Sequence, residues 1–167
     1  MNWTALSAVA ELLGAVGVIA SLVYVGIQVR QNTKATRAQI HDRMTAGYLS
    51  VVNAVTKNAR VFSAALGTSR AEFARLSNED RMIFFSVIFG FFKHFEHMYV
   101  QQQRGLIDRE AWEAWSQHIR SYFHQPGVQM WWAVRRGTFV RPFREFLENS
   151  VPPPDVPSFV EFTKGLE

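Results

Sequence analysis

Cysteine is absent from the 167 residues of this chain. Without cysteine a protein has no disulfide, no zinc site with thiolate ligands and no thiol nucleophile. The chain also lacks a P-loop, a G-x-G-x-x-G turn, a G-x-S-x-G nucleophile elbow and an EF-hand loop. Because these common signatures of enzymes and cofactor sites are missing, we expect no catalytic residue, no cofactor and no metal ion.

Lysine and arginine are absent from residues 1–29, and residues 12–29 carry no charge of either sign. A helix of that length extends about 27 Å, which is close to the thickness of the hydrocarbon core of a bilayer. A signal peptide would carry its basic residues before the apolar stretch and small residues at a cleavage site after it. Here the basic residues follow, so the pattern predicts a transmembrane helix; a buried helix of a soluble fold is the alternative.

The basic residues that follow the predicted span indicate its orientation. Arg30, Lys34 and Arg37 come directly after residue 29. By the positive-inside rule they stay on the cytoplasmic side, so the short N-terminus lies outside and the rest of the chain inside. The formal net charge of +4 suits contact between these three side chains and anionic lipid headgroups.

Small and polar residues form a stripe along one side of the predicted span. The stripe consists of Ser7, Ala10, Gly14, Gly17, Ser21, Tyr24 and Gln28, which follow one another at steps of three and four. Helices associate in lipid where small residues let their backbones approach closely. The stripe therefore predicts packing against further copies or a partner subunit, although glycine and alanine are common in all spans and the pattern also arises by chance.

Glu11 is a carboxylate near the outer end of the predicted span. At that depth its side chain can reach the interface, as an anchor or a helix-start residue. Carboxylates inside a membrane also tend to face a partner or a water-filled path. In an oligomer Glu11 would then form an acidic ring, and the stripe would line a cation-preferring pore.

The remaining chain has helical signals only. No stretch shows sustained alternation of apolar and polar residues, and Asn-Gly hairpin turns are absent. No glycine or proline lies between Gly26 and Gly47, so the span is predicted to continue as one helix of about 50 residues. We expect an all-α protein with four regions: a transmembrane helix with a short outer N-terminus (1–29), a juxtamembrane helix (30–57), a cytoplasmic helical bundle (58–150) and a Pro-rich C-terminal arm (151–167).

Start and stop signals divide the predicted bundle into helices. The signals are Gly67 as a stop, Ser77 as an N-cap, Gly105 as a stop, Asp108 as an N-cap, Pro126 in a first turn, and a short amphipathic helix in RPFREFLENS. Between Ser77 and Gly105 the residues from Met82 to Phe92 are apolar nearly all round but too few to span a membrane. They predict the central buried helix of the bundle. Phe159 and Phe162 are predicted to dock the arm.

Histidines and acids give weak evidence of a metal site. The side chains concerned are His94, His97, Glu96, His118 and His124. His94 and His97 share a helix face, but no H-E-x-x-H motif is present. Ordinary hydrogen bonding or surface exposure is the favoured interpretation. Glu110 and Glu113 are interpreted as exposed acidic residues in the first turns of a helix.

Arginines alternate with aromatic residues from residue 131 to residue 146. They are Arg135, Arg136, Arg141 and Arg144 among Trp131, Trp132, Phe139, Phe143 and Phe146. The favoured interpretation places the rings in the core and the arginines at a solvated edge. Contact with membrane headgroups is the second, and nucleic-acid binding is the least favoured.

Several segments together resemble a family of uncharacterised bacterial membrane proteins. They are ALSAVAELLGAVGVIASLVYVGIQVRQNTKATRA, FEHMYVQQQRGLID, the Trp that follows it, and PGVQMWW…R…F…F. Members have one N-terminal span and a helical cytoplasmic domain, and the similarity extends to about Glu148. The resemblance implies this architecture in a bacterial inner (plasma) membrane, and it implies no activity.

The sequence as a whole predicts a membrane-anchored helical interaction protein and not an enzyme. It would be a self-associating scaffold or an accessory subunit of an inner-membrane complex. The expected partners are the membrane with its anionic headgroups and further copies or other subunits, but not nucleic acid. The alternatives are the homo-oligomeric channel and an aromatic ligand pocket formed by Trp112, Trp115, Trp131 and Trp132.

Overall fold

A computed structural model describes residues 3–154 and 156 of the chain, except for the side chains of residues 5–7, 9 and 10. The helices are α1 (Trp3–Lys57), α2 (Ala59–Leu66), α3 (Arg70–Phe73), α4 (Asn78–Gln103), α5 (Arg109–Phe123), α6 (Pro126–Arg135) and α7 (Arg141–Glu148), with a 3₁₀ turn at Arg136–Thr138. No β-strand occurs within the described residues, so the predicted all-α fold is confirmed.

The chain divides into two compact units, Met1–Ile40 and His41–Glu167. The first unit holds the apolar part of α1 and a polar continuation. Helix α1 runs without a break to Lys57, as the lack of glycine and proline between Gly26 and Gly47 predicts. In the polar part, the hydroxyls of Thr33 and Thr36 donate to carbonyls four residues earlier, each at 2.9 Å. These polar groups are therefore satisfied within the helix itself.

Helix α4 lies at the centre of the second unit, as predicted. Its fully enclosed side chains are Phe84, Ile88, Phe91, Phe92, Phe95 and Met98. The helix begins where the Oγ of Ser77 accepts a hydrogen bond from the backbone N–H of Asp80 at 3.0 Å. It ends before Gly105, whose φ of 69° is the left-handed conformation that glycine adopts without strain.

One side of α4 is exposed although residues 82–92 are apolar nearly all round. Met82 is 65% exposed, and Ser86 and Gly90 on the same side are exposed as well. Their spacing of four residues places them in one row along the helix. The sequence did not indicate this row, because apolar composition alone does not tell which side of a helix its neighbours cover.

Local start and stop signals placed most of the other helices correctly. Gly67 follows the end of α2, the carboxylate of Asp108 accepts from the backbone N–H of Ala111 at 2.9 Å, and Pro126 is the first residue of α6. Helix α3 was not predicted. It has a capping box in which Ser69 and Glu72 satisfy each other's backbone N–H groups.

Helices α2 and α6 approach each other closely at Gly127. A Cβ atom at Gly127 would lie 2.0 Å from the carbonyl oxygen of Ala65. Only a glycine fits such a contact between two backbones. This contact sets how closely α6 approaches α2, and α6 forms one wall of the groove beside α3.

The chain leaves the last helix without forming another one in residues 151–154, where Pro153 is buried. The rest of the predicted Pro-rich arm, including Phe159 and Phe162, lies outside the described residues. The arm therefore stays a prediction.

Candidate functional site

The apolar stretch of α1 is exposed along its whole length. The exposed fraction of its large apolar side chains ranges from 50% at Ile27 to 67% at Leu13. A core helix of a soluble fold buries its apolar face, and residues 12–29 do not. The chain thus has one helix that is long and apolar enough to cross a membrane.

At the glycines of the small-residue stripe the backbone is uncovered, and polar side chains of the stripe already form hydrogen bonds within the helix. A Cβ at Gly14 or Gly17 would meet no described atom within 4 Å. The hydroxyl of Ser21 donates to the Gly17 carbonyl at 2.8 Å, and Gln28 Nε2 donates to Tyr24 Oη at 3.3 Å. The side chains of Ser7 and Ala10 lie outside the described residues, and the role of the stripe, in packing or in a pore, stays a prediction.

The charged residues that flank the span are exposed. Glu11 lies at the surface of α1 near its start. Arg30, Lys34 and Arg37 are exposed as well, and none of the three forms an ion pair within the described residues. Lipid phosphates are suitable partners for such cations, and this contact also stays a prediction.

The histidines of the bundle have separate neighbours. His97 Nε2 lies 3.4 Å from Gln101 Nε2, His118 Nε2 lies 2.8 Å from Tyr48 Oη, and His124 Nε2 lies 3.0 Å from Ser150 Oγ. His94 packs against Gly47. Among the described residues, no three histidine or acidic side chains converge as metal ligands.

His118 lies inside a cluster of aromatic rings on α1, α4 and α5. The rings within 6.5 Å of its centroid belong to Tyr48, Phe91, Phe95, Trp115 and Tyr122. Burial lowers the pKa of His118 and raises the pKa of Tyr122 to about 12. Burial also raises the pKa of Tyr48, so the hydrogen bond between Tyr48 and His118 joins α1 to α5 through two neutral groups.

Glu96 connects α4 to the start of α7. Its carboxylate accepts hydrogen bonds from Lys93 Nζ at 2.7 Å and from the backbone N–H of Val140 at 2.6 Å. Lys93 also donates to the carbonyl of Thr138 at 2.7 Å. Two charged side chains thereby satisfy backbone groups of the 3₁₀ turn and of the N-terminus of α7, which was not predicted.

The aromatic residues between 131 and 143 belong to the core, as the favoured interpretation predicted. Those that are buried are Trp131, Trp132, Phe139 and Phe143. Arg136 pairs with Glu148 at 2.9 Å and Arg141 with Glu145 at 3.6 Å. Since the rings are enclosed, they are not accessible for stacking on bases or for insertion among headgroups.

The four tryptophans named for the alternative of an aromatic ligand pocket pack mostly against different aromatic neighbours. Trp112 packs against Tyr99 and Phe146, and Trp115 packs against Tyr48. Trp131 and Trp132 both pack against Phe92. All four rings thus pack within the aromatic part of the bundle, and the alternative of a ligand pocket stays a prediction.

A groove of about 500 Å³ lies between α3, the start of α4 and α6. It is lined by Arg70, Phe73, Ala74, Arg81, Gln129, Met130, Ala133 and Val134. The lining combines two arginines with an apolar floor and contains no acid. Val134 is 74% exposed in it. The groove was missed because α3 was missed, and the S-x-x-E pattern at Ser69 was the signal that locates α3.

Comparison with known proteins adds no relative. No protein-family model, no curated protein and no solved structure matches this chain. The resemblance to bacterial membrane proteins with one span therefore stays a prediction.

Proposed function

We propose that this protein is a membrane-anchored helical interaction protein, either a self-associating scaffold or an accessory subunit of an inner-membrane complex. The observation that carries the proposal is the exposure of the large apolar side chains of residues 12–29, each of which is at least half exposed. Apolar side chains in a continuous band of this length need lipid or a partner to cover them. The proposed role is binding and anchoring, and not catalysis.

Self-association is proposed to use the stripe around Gly14 and Gly17. Both glycines leave the backbone open, and between helices in lipid such positions allow close van der Waals packing. The opposite face carries bulky side chains, including Val16, Ile19 and Val23, which suit contact with acyl chains. Association through this face is compatible with identical chains or with another single-span subunit.

Substitution of glycines on opposite faces of α1 tests this proposal. Gly17 lies on the stripe, and Gly26, nine residues later, lies about 180° away around the helix. Neither position has a described atom within 4 Å of a new Cβ, so leucine is accommodated within the chain at both. We expect Gly17→Leu to weaken association by about tenfold, and Gly26→Leu to leave it unchanged.

The measurement is chemical crosslinking in native membranes, compared among the parent and both variants. The proposal predicts crosslinked species for the parent and for Gly26→Leu, and a strong decrease for Gly17→Leu. Only monomers in the parent would refute self-association and partner binding alike. Equal decreases in both variants would show that the stripe is not the contact face.

A further inference from the structure

The groove between α3 and α6 has chemistry that matches one segment of the same chain. We infer that residues 157–167 dock in this groove. The inference goes beyond the proposed membrane function, because it concerns a contact inside the second unit and holds whether or not α1 associates.

Charge complementarity supports the docking. Arg70 and Arg81 lie on the groove, and neither forms an ion pair with a carboxylate within the described residues. Among the residues that the structure describes, Arg81 donates a hydrogen bond to the side-chain amide oxygen of Asn78. Residues 157–167 contain Glu161 and Glu167 but only one basic residue. The acidic segment thus supplies the charges that the groove lacks.

Apolar complementarity supports it as well. The floor and rim of the groove present Phe73, Met130 and Val134. The segment PSFVEFTKGLE carries apolar residues on both sides of Glu161, including Phe159 and Phe162. Aromatic side chains are stabilised when their apolar surface moves from water into such a site. Both partners therefore have apolar surface that docking would cover.

The place where the chain leaves the bundle brings the segment within reach. Ser150 Oγ lies 3.0 Å from His124 Nε2, and Gln129 at the end of the groove donates to the carbonyl of Phe123 at 2.6 Å. Both contacts are made to the last turn of α5. Five residues separate Pro154 from Phe159, and an extended chain of that length covers up to about 17 Å. The part of α6 that lines the groove is shorter, because the helix rises only about 7.5 Å from Gln129 to Val134.

A photocrosslinker attached to the segment tests the docking in the full-length protein. The chain has no cysteine, so Thr163→Cys provides one attachment site for a benzophenone maleimide. After irradiation of the detergent-solubilised protein, peptide mass spectrometry identifies the crosslinked residues. We expect crosslinks within one chain to residues 129–134, above all to Met130, because excited benzophenone reacts readily with methionine.

Charge reversal with a matched control tests the role of the arginines. Arg70→Glu with Arg81→Glu should lower the crosslink yield by roughly fivefold, because two exposed attractions become repulsions. Arg43→Glu with Arg104→Glu makes the same change of net charge at exposed sites outside the groove and should leave the yield unchanged. Equal losses in both double variants would overturn the charge argument.

Other crosslinking patterns would overturn the inference. Crosslinks between two chains would assign the groove to a second copy. Crosslinks elsewhere on the bundle, or none, would show that residues 157–167 do not occupy the groove and would indicate an external partner.

A second measurement is the rate at which a maleimide reacts with the thiol of the Ala133→Cys variant. We expect this reaction to be roughly fivefold slower in the full chain than in a chain ending at residue 156. Equal rates would contradict docking.

Discussion

Gly127 leaves no room for a side chain. A Cβ there would lie 2.0 Å from the carbonyl oxygen of Ala65 and 2.9 Å from that of Leu66. Both neighbours are backbone atoms, so relief requires α2 and α6 to move apart. We predict that Gly127→Ala lowers the free energy of unfolding by about 1–3 kcal/mol, measured by urea denaturation followed by tryptophan near-UV circular dichroism.

Gly90 provides the matched control for that prediction. It lies inside α4 on the exposed side, and a Cβ there meets no described atom within 4 Å. Because alanine restricts the unfolded chain more than glycine does, Gly90→Ala should raise the free energy of unfolding by about 0.5–1 kcal/mol. Destabilisation by both variants would contradict the assigned cause.

His118 makes stability depend on pH. Burial lowers its pKa in the folded protein, so between the folded and the unfolded pKa the unfolded chain binds more protons. The stabilising contribution is therefore complete above the unfolded pKa of about 6.5 and is lost as pH falls below it. His94 and His124, whose pKa values burial also lowers, act in the same direction.

We predict that the free energy of unfolding decreases from pH 7 to pH 5, by at most about 1.4 kcal/mol per pH unit for each extra proton on the unfolded chain. His118→Asn should flatten this slope, measured by denaturant unfolding at several pH values. His41→Asn, on an exposed side chain, serves as the control. An unchanged slope for His118→Asn would show that the neutral bond with Tyr48 is not what acid disrupts.

At the scale of elements, Glu96 holds the start of α7 to α4. Its carboxylate accepts from Lys93 and from the backbone of Val140. Without it, the backbone N–H of Val140 loses its acceptor and the ammonium group of Lys93 keeps only the carbonyl of Thr138. An unsatisfied buried donor typically costs about 1–3 kcal/mol. We predict that Glu96→Ala destabilises the protein by this amount and accelerates amide hydrogen exchange across Arg141–Glu148 before the rest of the bundle.

Glu113→Ala is the control for the α7 prediction. Glu113 pairs with Arg109 at 3.2 Å on the surface of α5, and such exposed pairs contribute less than about 1 kcal/mol. Exchange in α7 should be unaffected by that substitution. If Glu96→Ala left exchange in α7 unchanged too, the packing of Phe143 and Leu147 alone would hold the helix in place.

At the scale of the whole molecule, the lack of cysteine makes the predicted orientation directly measurable. Thr4→Cys and Ser63→Cys each place one thiol at an exposed position, before the span and on α2. In spheroplasts, we expect a membrane-impermeant maleimide to label residue 4 at once and residue 63 only after permeabilisation. The reason is that, by the positive-inside rule, Arg30, Lys34 and Arg37 are expected on the cytoplasmic side of the span.

Replacing Arg30, Lys34 and Arg37 with glutamine tests the cause of that orientation. Without the three cations, a mixed population labelled at both positions is expected. Labelling of residue 63 in the unmodified background without permeabilisation would reverse the proposed topology. Recovery of the protein outside the membrane fraction would reject the anchor itself.

Structural features that depend on residues within about one helical turn of each other were predictable from the sequence. Ser77, Asp108 and Pro126 start helices through bonds or backbone angles that involve residues at most three positions away. The continuity of α1 and the apolar length of residues 12–29 depend on composition in the same local way. The sequence by itself thus determined the all-α class, the membrane-length helix and most helix ends.

Contacts between distant residues were decided by the tertiary structure. Tyr48 and His118 are 70 positions apart, and Glu96 and Val140 are 44 apart. The groove depends on α6 lying beside α3, and the crossing at Gly127 depends on the backbone of α2. No local pattern specifies such neighbours, because close packing of the whole core selects which helix faces meet.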